Sequence, residues 1–384
     1  MLAEFWTTVA WNRQSPWKRI LPSRLTAQLE RRSFENVPAQ KIQSRPWREL
    51  VRLVAKPAGL SQLLCSGERP FSVIGVYRAF DGAVARRLSK LKVDAVYAYE
   101  GGALETFRAA KKLGIRTIYE LPSSYWYWNL KLLNEEAKRS PDYANLLKTL
   151  RDSEGHLKWK DEELELADHV IVPSAHVKRT LTGVVSDERI TVINYGAPPV
   201  HERTTGFSAP GQPLRVIFVG ALHQRKGIGY LIDAIESLDF PVDVTLVGMR
   251  DAANVRVDEA CKRWHWYESL PHAKVLELMA NADVLVHPSL SEGCALVVLE
   301  ALAAGLPVIV TPNSGSLEFV KDGQQGFVIP VCDAPALAER LRTLDRDRSQ
   351  LASMSAEAQQ TARGKSWEQY RTELAAAVRA ITCR

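Results

Sequence analysis

The sequence predicts an α/β protein made of two halves, each built from parallel strands alternating with helices. Three observations predict it. Apolar runs end at glycines, as in Leu214–Val219 before Gly220 and Asp243–Val247 before Gly248. Helical stretches separate these runs, the pattern of strand, helix and parallel strand. A Pro-, Gly-, Thr- and Ser-rich stretch around residues 197–211 divides the 384 residues into parts large enough for separate cores.

In the first half, residues 3–9 read as a strand, and 12–60 as a basic, Pro-punctuated stretch of short helices. Phe71 to Tyr77 is open between a strand and the start of the helix that runs to about Leu91. Val93–Tyr97 reads as a buried strand, Ala103–Leu113 as a helix stopped by Gly114, and Ile115–Glu120 as the next strand. A charged helical stretch spans 126–166, and strands follow at 168–172 and 190–196.

In the second half, strands at 214–219 and 243–247 bracket a helix at 229–238. A short helix at 275–280 leads into the strand Asp283–His287, a loop Ser289–Gly293, a helix Cys294–Ala304 and a strand Pro307–Val310. A helix at 334–344 and a last amphipathic helix at 354–381 around Trp367 complete the chain.

Composition narrows the class. An apolar fraction of 46% with 24% charged residues is that of a soluble globular protein. Five cysteines without paired spacing, Cys65, Cys261, Cys294, Cys332 and Cys383, argue against a disulfide framework or a zinc site and suit a reducing cytosol. The first residues lack the basic start of a secretory signal, and Glu300, Gly305 and Pro307 interrupt the longest apolar run. Residues 1–60 hold eleven Lys/Arg against four Glu, with Trp6, Trp11, Trp17 and Trp47 among them. Two readings stay open there: a solvated basic face, or attachment to an anionic membrane surface, on the inner face of the plasma membrane, or to an acidic acceptor. No nucleic-acid motif accompanies the charge.

Two strand ends in the second half carry the chemistry, because ligands of open α/β sheets bind beyond the carboxyl ends of the strands. The first is Gly220-Ala-Leu-His-Gln-Arg-Lys-Gly227. Arg225 and Lys226, with backbone donors at a helix start, suit an anion such as a diphosphate. At the second, Gly293, Cys294 and Ala295 are expected to offer amide N–H groups at the helix start. Glu292 stands just before them, and Glu300 lies two turns on in an apolar run, where a buried carboxylate needs a partner. His223 and His287 have the chemistry of an acid or base, with packing the simpler role for His287. Asp345 and Asp347 have metal-pair spacing but sit in a charged surface run, so no metal site is expected. The Gly-x-Gly-x-x-Gly and P-loop signatures of other nucleotide sites are missing.

Together these pieces resemble a retaining GT-B glycosyltransferase of family four, the glycosyl transferases group 1 type. The resemblance rests on Glu292-Gly-Cys-Ala-Leu-Val-Val-Leu-Glu300 after Ala282–Ser289, on Asn313–Ser316, Asp322-Gly and Gly326-Phe, and on Arg225-Lys226-Gly227. Ala167–Ser174 and Tyr195-Gly196 continue it, so that it covers about residues 90–380.

The resemblance implies two Rossmann-like domains facing across a cleft. Residues 1–200 would be the acceptor-side domain, 201–213 a linker, 214–365 the nucleotide-sugar domain and 366–384 a helix crossing back. Arg225, Lys226 and Glu292 would be catalytic, the cations on the diphosphate and Glu292 on the donor sugar. Glu300 would bind the ribose. Gly220, Leu270, Gly293, Cys294, Ala295 and Leu296 would complete the donor site, with Leu270 near the base. The partners would be a nucleotide diphosphate sugar and a saccharide or lipid-linked acceptor, with no cofactor. The implied reaction is transfer with retained configuration, toward a polysaccharide or glycolipid, in the cytoplasm.

The chain departs from the family's pattern in four places. The family's opening strand and glycine-rich loop are not evident in residues 1–12. Glu120-Leu-Pro-Ser stands where a histidine is common, Ala221 where an arginine is common, and Cys294-Ala295 replace Phe-Gly. Glu100, Glu105 and Glu120 are the carboxylates that first-half position suggests for catalysis. A nucleotide-sugar epimerase of the same fold and a non-catalytic nucleotide-sugar-binding protein are the alternatives.

Overall fold

A computed structural model describes residues 2–12, 26, 29–30, 32–34, 36–55, 69–147, 154–203, 205–250 and 252–383. Trp17, Cys65 and most of the basic stretch 13–31 lie outside the described residues. The chain forms two compact units, residues 1–120 with 152–170, and residues 121–151 with 171–384.

The first unit pairs β1 (Phe5–Thr7) with β2 (Ile42–Ser44) in parallel. Helices α1 (Trp47–Ala55) and α2 (Val73–Leu88) follow, so Val73–Tyr77 is helical. Ser72 caps α2 by accepting the Gly75 N–H at 3.0 Å, which stops a strand from forming there. β3 (Ala95–Tyr99) and β4 (Arg116–Glu120) pair in parallel around α3 (Leu104–Lys112), and α5 (Glu154–Leu166) packs on α3. Expected to be buried, β3 is half-exposed along its length, while β4 carries the buried residues. Here the asymmetry follows from Tyr97 and Tyr99, whose polar tips favour the edge of a core.

The expected helix 126–166 is broken. α4 (Trp126–Arg139) ends at Ser140, and Pro141 starts a 3-10 turn to Leu146. Proline cannot continue the α-helical ladder, which explains the stop. β5 (His169–Val172), α6 (Ala175–Thr180) and β6 (Ile190–Val192) follow in the chain.

The second unit holds a parallel sheet of six strands. They are β7 (Leu214–Val219), β8 (Val242–Val247), β9 (His265–Tyr267), β10 (Val284–His287), β11 (Val308–Val310) and β12 (Gly326–Val328). Their order is β12-β11-β10-β7-β8-β9. Val284, Leu285 and Val286 are wholly buried, as are Val216, Ile217 and Phe218, so helices cover both faces. Each such side chain stabilises the fold by about 1.5–3 kcal/mol. The covering helices are α7 (Ile228–Glu236), α8 (Val255–Arg263), α9 (His272–Asn281), α10 (Leu296–Ala303), α11 (Ala334–Arg346) and α12 (Ser349–Arg363).

The single last helix expected over 354–381 is two. α12 stops before Gly364, and α13 (Trp367–Thr382) starts afresh with Ser366 accepting the Gln369 N–H at 3.2 Å. This break lets the chain pack tightly on residues 195–197. Ala197 N–H donates to the Lys365 carbonyl at 2.6 Å, and Tyr195 stacks on Trp367 with centroids 6.1 Å apart.

Candidate functional site

The site grows from the carboxyl ends of β7 and β10, which are neighbours in the sheet. After β7 the chain makes a tight turn, Gln224–Lys226, and enters α7 through Gly227. Gly227 has φ 77°, and a Cβ there would fall 2.1 Å from the Pro288 carbonyl oxygen. Only glycine lets the cationic turn lie this close to the loop after β10.

That closeness brings the two predicted strand ends together. Arg225 Nη1 donates to the Ser291 carbonyl at 2.7 Å and lies 3.2 Å from Glu292 Oε1. The ammonium of Lys226 pairs with the same carboxyl oxygen. The Ser289 hydroxyl donates to the Arg225 carbonyl at 3.0 Å, and the Leu290 N–H donates to it at 2.9 Å. Glu292 is largely buried. Burial pushes its carboxyl upward, but Lys226 and Arg225 outweigh this and hold it below the usual carboxylate range.

His287, at the end of β10, is fully buried, and neither ring nitrogen has a hydrogen-bond partner among the described residues. Burial and the nearby Lys226 charge push its imidazole down to about 3. It is a neutral packing residue at ordinary pH, facing the Lys226–Glu292 pair. His223 takes the cap position before the Gln224 turn.

The helix expected from Cys294 starts later, at Leu296. The Ala295 N–H is not open to a ligand, because it donates to the Ser314 carbonyl at 3.1 Å. Residues Pro312–Ser314 form a short turn against this loop, and the Glu292 N–H donates to the Asn313 carbonyl at 2.9 Å. Leu296 is exposed at the helix start. Cys294 is buried, and burial pushes its thiol up to about 12, which removes it as a nucleophile. Gly220 ends β7 against the methylenes of Lys226.

Glu300 is half-buried rather than buried, and its partner in the structure is His272, whose Nε2 lies 3.0 Å from Oε1. Leu270, near the start of α9, packs on the apolar layer formed with Val275 and Met279. Asp345 is bound by Arg348 at 2.6 Å, and Asp347 accepts the Ser349 N–H at 3.1 Å, so both serve local structure. In the first unit, Glu120 is buried and accepts the Tyr97 hydroxyl, Glu105 pairs with Arg108 at 2.8 Å, and Glu100 lies 3.6 Å from Lys160.

Sequence reading missed a polar chain beside Glu292. The Ser291 hydroxyl donates to Ser124 Oγ at 2.9 Å, and Ser124 Oγ lies 3.0 Å from His176 Nε2. Both Ser124 and His176 are buried. Ser174 donates to the Gly293 carbonyl at 2.5 Å, and a Cβ on Gly293 would fall 1.7 Å from the Pro122 carbonyl oxygen. Thus Pro122–Ser124 sit on the Glu292 loop. The one signal was Glu120-Leu-Pro-Ser itself, noted only as a departure.

Residues 205–361 match the family model of glycosyl transferases group 1. Among curated relatives, the amylovoran biosynthesis glycosyltransferase AmsK of Erwinia amylovora is 29% identical over 175 residues, 41% of this chain and 42% of AmsK. The D-inositol 3-phosphate glycosyltransferase of Corynebacterium urealyticum is 30% identical over 258 residues, 60% of this chain and 61% of that protein. The chain therefore spans between about two-fifths and three-fifths of the length of these relatives. Anabaena HepE, solved in complex with UDP, superposes with TM-score 0.59 at 19% identity, covering 79% of this chain and 82% of HepE. The fold is that of the GT-B glycosyltransferases, and residues 205–361, less than half of the chain, match the glycosyl transferases group 1 family.

Proposed function

We propose that the chain is a metal-independent glycosyltransferase. In this reading it moves a sugar from a nucleotide diphosphate sugar to a saccharide or lipid-linked acceptor, with retained anomeric configuration. The observation that carries the reading is the convergence of Arg225, Lys226 and Glu292 at two adjacent strand ends, with Glu300 two turns beyond. The match to glycosyl transferases group 1 and the likeness to HepE, solved in complex with UDP, support it.

The chemistry follows from charge. The bond from the anomeric carbon to the diphosphate oxygen breaks, and an acceptor hydroxyl oxygen bonds to that carbon on the same face. Negative charge builds on the departing diphosphate oxygen, which takes up the acceptor proton. Arg225 and Lys226 would stabilise that charge where it develops, the task a divalent cation performs in other transferases. Their present partner, Glu292, would turn to hydroxyls of the donor sugar. The amides of Gly293, Cys294 and Leu296 would face sugar or phosphate, Glu300 the ribose hydroxyls, and Gly220 and Leu270 the rest of the nucleotide.

The remaining assignments belong to the same reading. Residues 1–200 serve the acceptor, 214–365 the donor, and 366–384 cross back from one to the other. The acceptor is a growing polysaccharide or a glycolipid, as the amylovoran relative suggests. The basic, Trp-bearing residues 1–60 attach the enzyme peripherally to the anionic inner face of the plasma membrane from the cytoplasm. No helix of the described residues is long and apolar enough to cross a membrane. A nucleotide-release assay over a panel of nucleotide diphosphate sugars, with and without saccharide acceptors, tests the reaction. Release from some donor with sugar found on an acceptor supports it. Release from none, or conversion of the donor sugar without an acceptor, overturns it.

A further inference from the structure

Gln224 begins the turn that carries Arg225 and Lys226, and it has no solvent exposure. Its side chain faces two ways. Oε1 accepts the Gly229 N–H at 3.1 Å in the first turn of α7. Nε2 donates at 2.7 Å to Glu136 Oε1, on the last turn of α4, 88 residues earlier. Glu136 is itself fully buried. The Tyr230 hydroxyl lies 2.8 and 2.7 Å from its two carboxyl oxygens, the Cys332 thiol lies 3.4 Å from Oε2, and Arg139 Nη1 lies 3.4 Å from Oε2.

A buried carboxyl is costly, and a well-packed apolar residue often replaces one without loss of stability. What an apolar residue cannot do here is accept from Gln224 and Tyr230 together. Both donors belong to the segment Gln224–Tyr230 that contains the two cations. On the opposite side the same segment is held by Ser289 and Leu290 through the Arg225 carbonyl. The cationic turn is therefore fixed between two grips, and Glu136 is the centre of one of them.

We propose that Glu136 is a positioning residue of the donor site. Through Gln224 and Tyr230 it sets the place of the Arg225–Lys226 turn, so that the two charges meet the second phosphate of a nucleoside diphosphate. The inference rests on the donor-site reading above. It adds a residue from α4 that touches neither cation nor ligand and acts through the turn.

The readout is selectivity between diphosphate and monophosphate. Lys226 and Arg225 serve the diphosphate, so a displaced turn should weaken diphosphate binding and leave monophosphate binding nearly as it was. Calorimetry on the full chain would compare UDP, GDP and ADP with their monophosphates, for wild type, Glu136→Gln and Gln224→Met. Glu136→Gln keeps shape but replaces one acceptor oxygen with a donor. Gln224→Met keeps the Tyr230–Glu136 bonds and cuts the link from Glu136 to the turn, together with the bond from the Gly229 N–H. The expected result is a loss of about ten-fold or more in diphosphate affinity in both variants, with monophosphate affinity changed less than about two-fold. Equal losses for both ligands would mean general damage, and unchanged affinities would mean that Glu136 does not hold the turn; either overturns the proposal. If Glu136→Gln does not fold, Gln224→Met decides alone. If wild type binds no diphosphate, the donor-site reading itself fails and takes this inference with it.

Discussion

His272 Nε2 lies 3.0 Å from Glu300 Oε1, so the carboxyl assigned to the ribose already has a partner, and that partner is exposed. An exposed pair of this kind contributes about 0–1 kcal/mol. Replacing His272 with Ala should therefore change nucleoside diphosphate affinity by less than about five-fold, and in the direction of tighter binding, because a competitor is removed. Glu300→Ala should weaken it by about ten-fold or more, since a carboxylate bonded to hydroxyls is lost. Titration calorimetry of both variants checks the pair. A larger loss in His272→Ala than in Glu300→Ala would assign the ribose contact to the histidine.

Lys226→Ala removes the ammonium that pairs with Glu292 and a cation assigned to the diphosphate. Diphosphate affinity should fall by about ten-fold or more, and its dependence on salt should flatten. The Glu292 carboxyl, no longer held down by Lys226, should titrate at higher pH than in wild type. Affinity measured from low to high salt tests the first part, and carboxyl-resolved NMR titration the second. Undiminished diphosphate affinity in Lys226→Ala would place the anion elsewhere.

Acid should destabilise the protein through two buried histidines. Burial, with Lys226 adding to it, lowers His287 to about 3, and burial with Arg179 lowers His176 to about 4. An unfolded imidazole takes up a proton near pH 6.5. Between that pH and about 4 the unfolded chain binds protons that the folded chain refuses, so stability falls as pH falls. Each histidine should contribute a slope of about 1.4 kcal/mol per pH unit in that window and nothing above it. Urea unfolding between about pH 5 and 7 measures the slope. His287→Gln should lower it by about one histidine's share. An unchanged slope would mean that His287 takes up its proton while folded.

Gly293→Ala should disable the site by geometry alone. The new Cβ would lie 1.7 Å from the Pro122 carbonyl oxygen and 3.2 Å from Ser123 Cα, both backbone atoms that move only with the chain. A cost of about 1–3 kcal/mol is expected, with loss of diphosphate binding as the Glu292 loop shifts. At Gly102 a Cβ would meet nothing within 4 Å, so Gly102→Ala is the control, with the melting temperature and affinity left close to wild type.

Much of the second unit was legible because its strands are buried on both faces. Leu214–Val219 and Val284–His287 are near-continuous apolar runs that end at a turn, a pattern that needs no partner to be read. β9, only His-Trp-Tyr, and α8, with five charged residues in nine, carry no such run and went unread. The break between α12 and α13 was missed because Gly364-Lys-Ser interrupts an amphipathic pattern that resumes at once. In the site, Arg225, Lys226, Glu292 and Glu300 were legible from local chemistry. Ser124, His176 and Glu136 were not. Each is defined by a partner far along the chain, as Ser124 is by Ser291, 167 residues on. The expected availability of the Ala295 amide failed for the same reason, since its acceptor is Ser314.

In the proposed reading, the contact of Arg225 and Lys226 with Glu292 would also set which anions the site accepts. Glu292 would act as a resident placeholder, a carboxylate tethered where a visiting anion would go. Every incoming anion would have to displace it from Arg225 and Lys226, so that binding would be an exchange, not a simple addition. A small monoanion would offer the two cations no more than Glu292 already does. A diphosphate brings several charged oxygens, and its attached sugar gives the evicted carboxylate hydroxyls to hold. In that reading the internal ion pair would work as a threshold, weakening the hold on simple anions and yielding to the ligand that rehouses what it displaces.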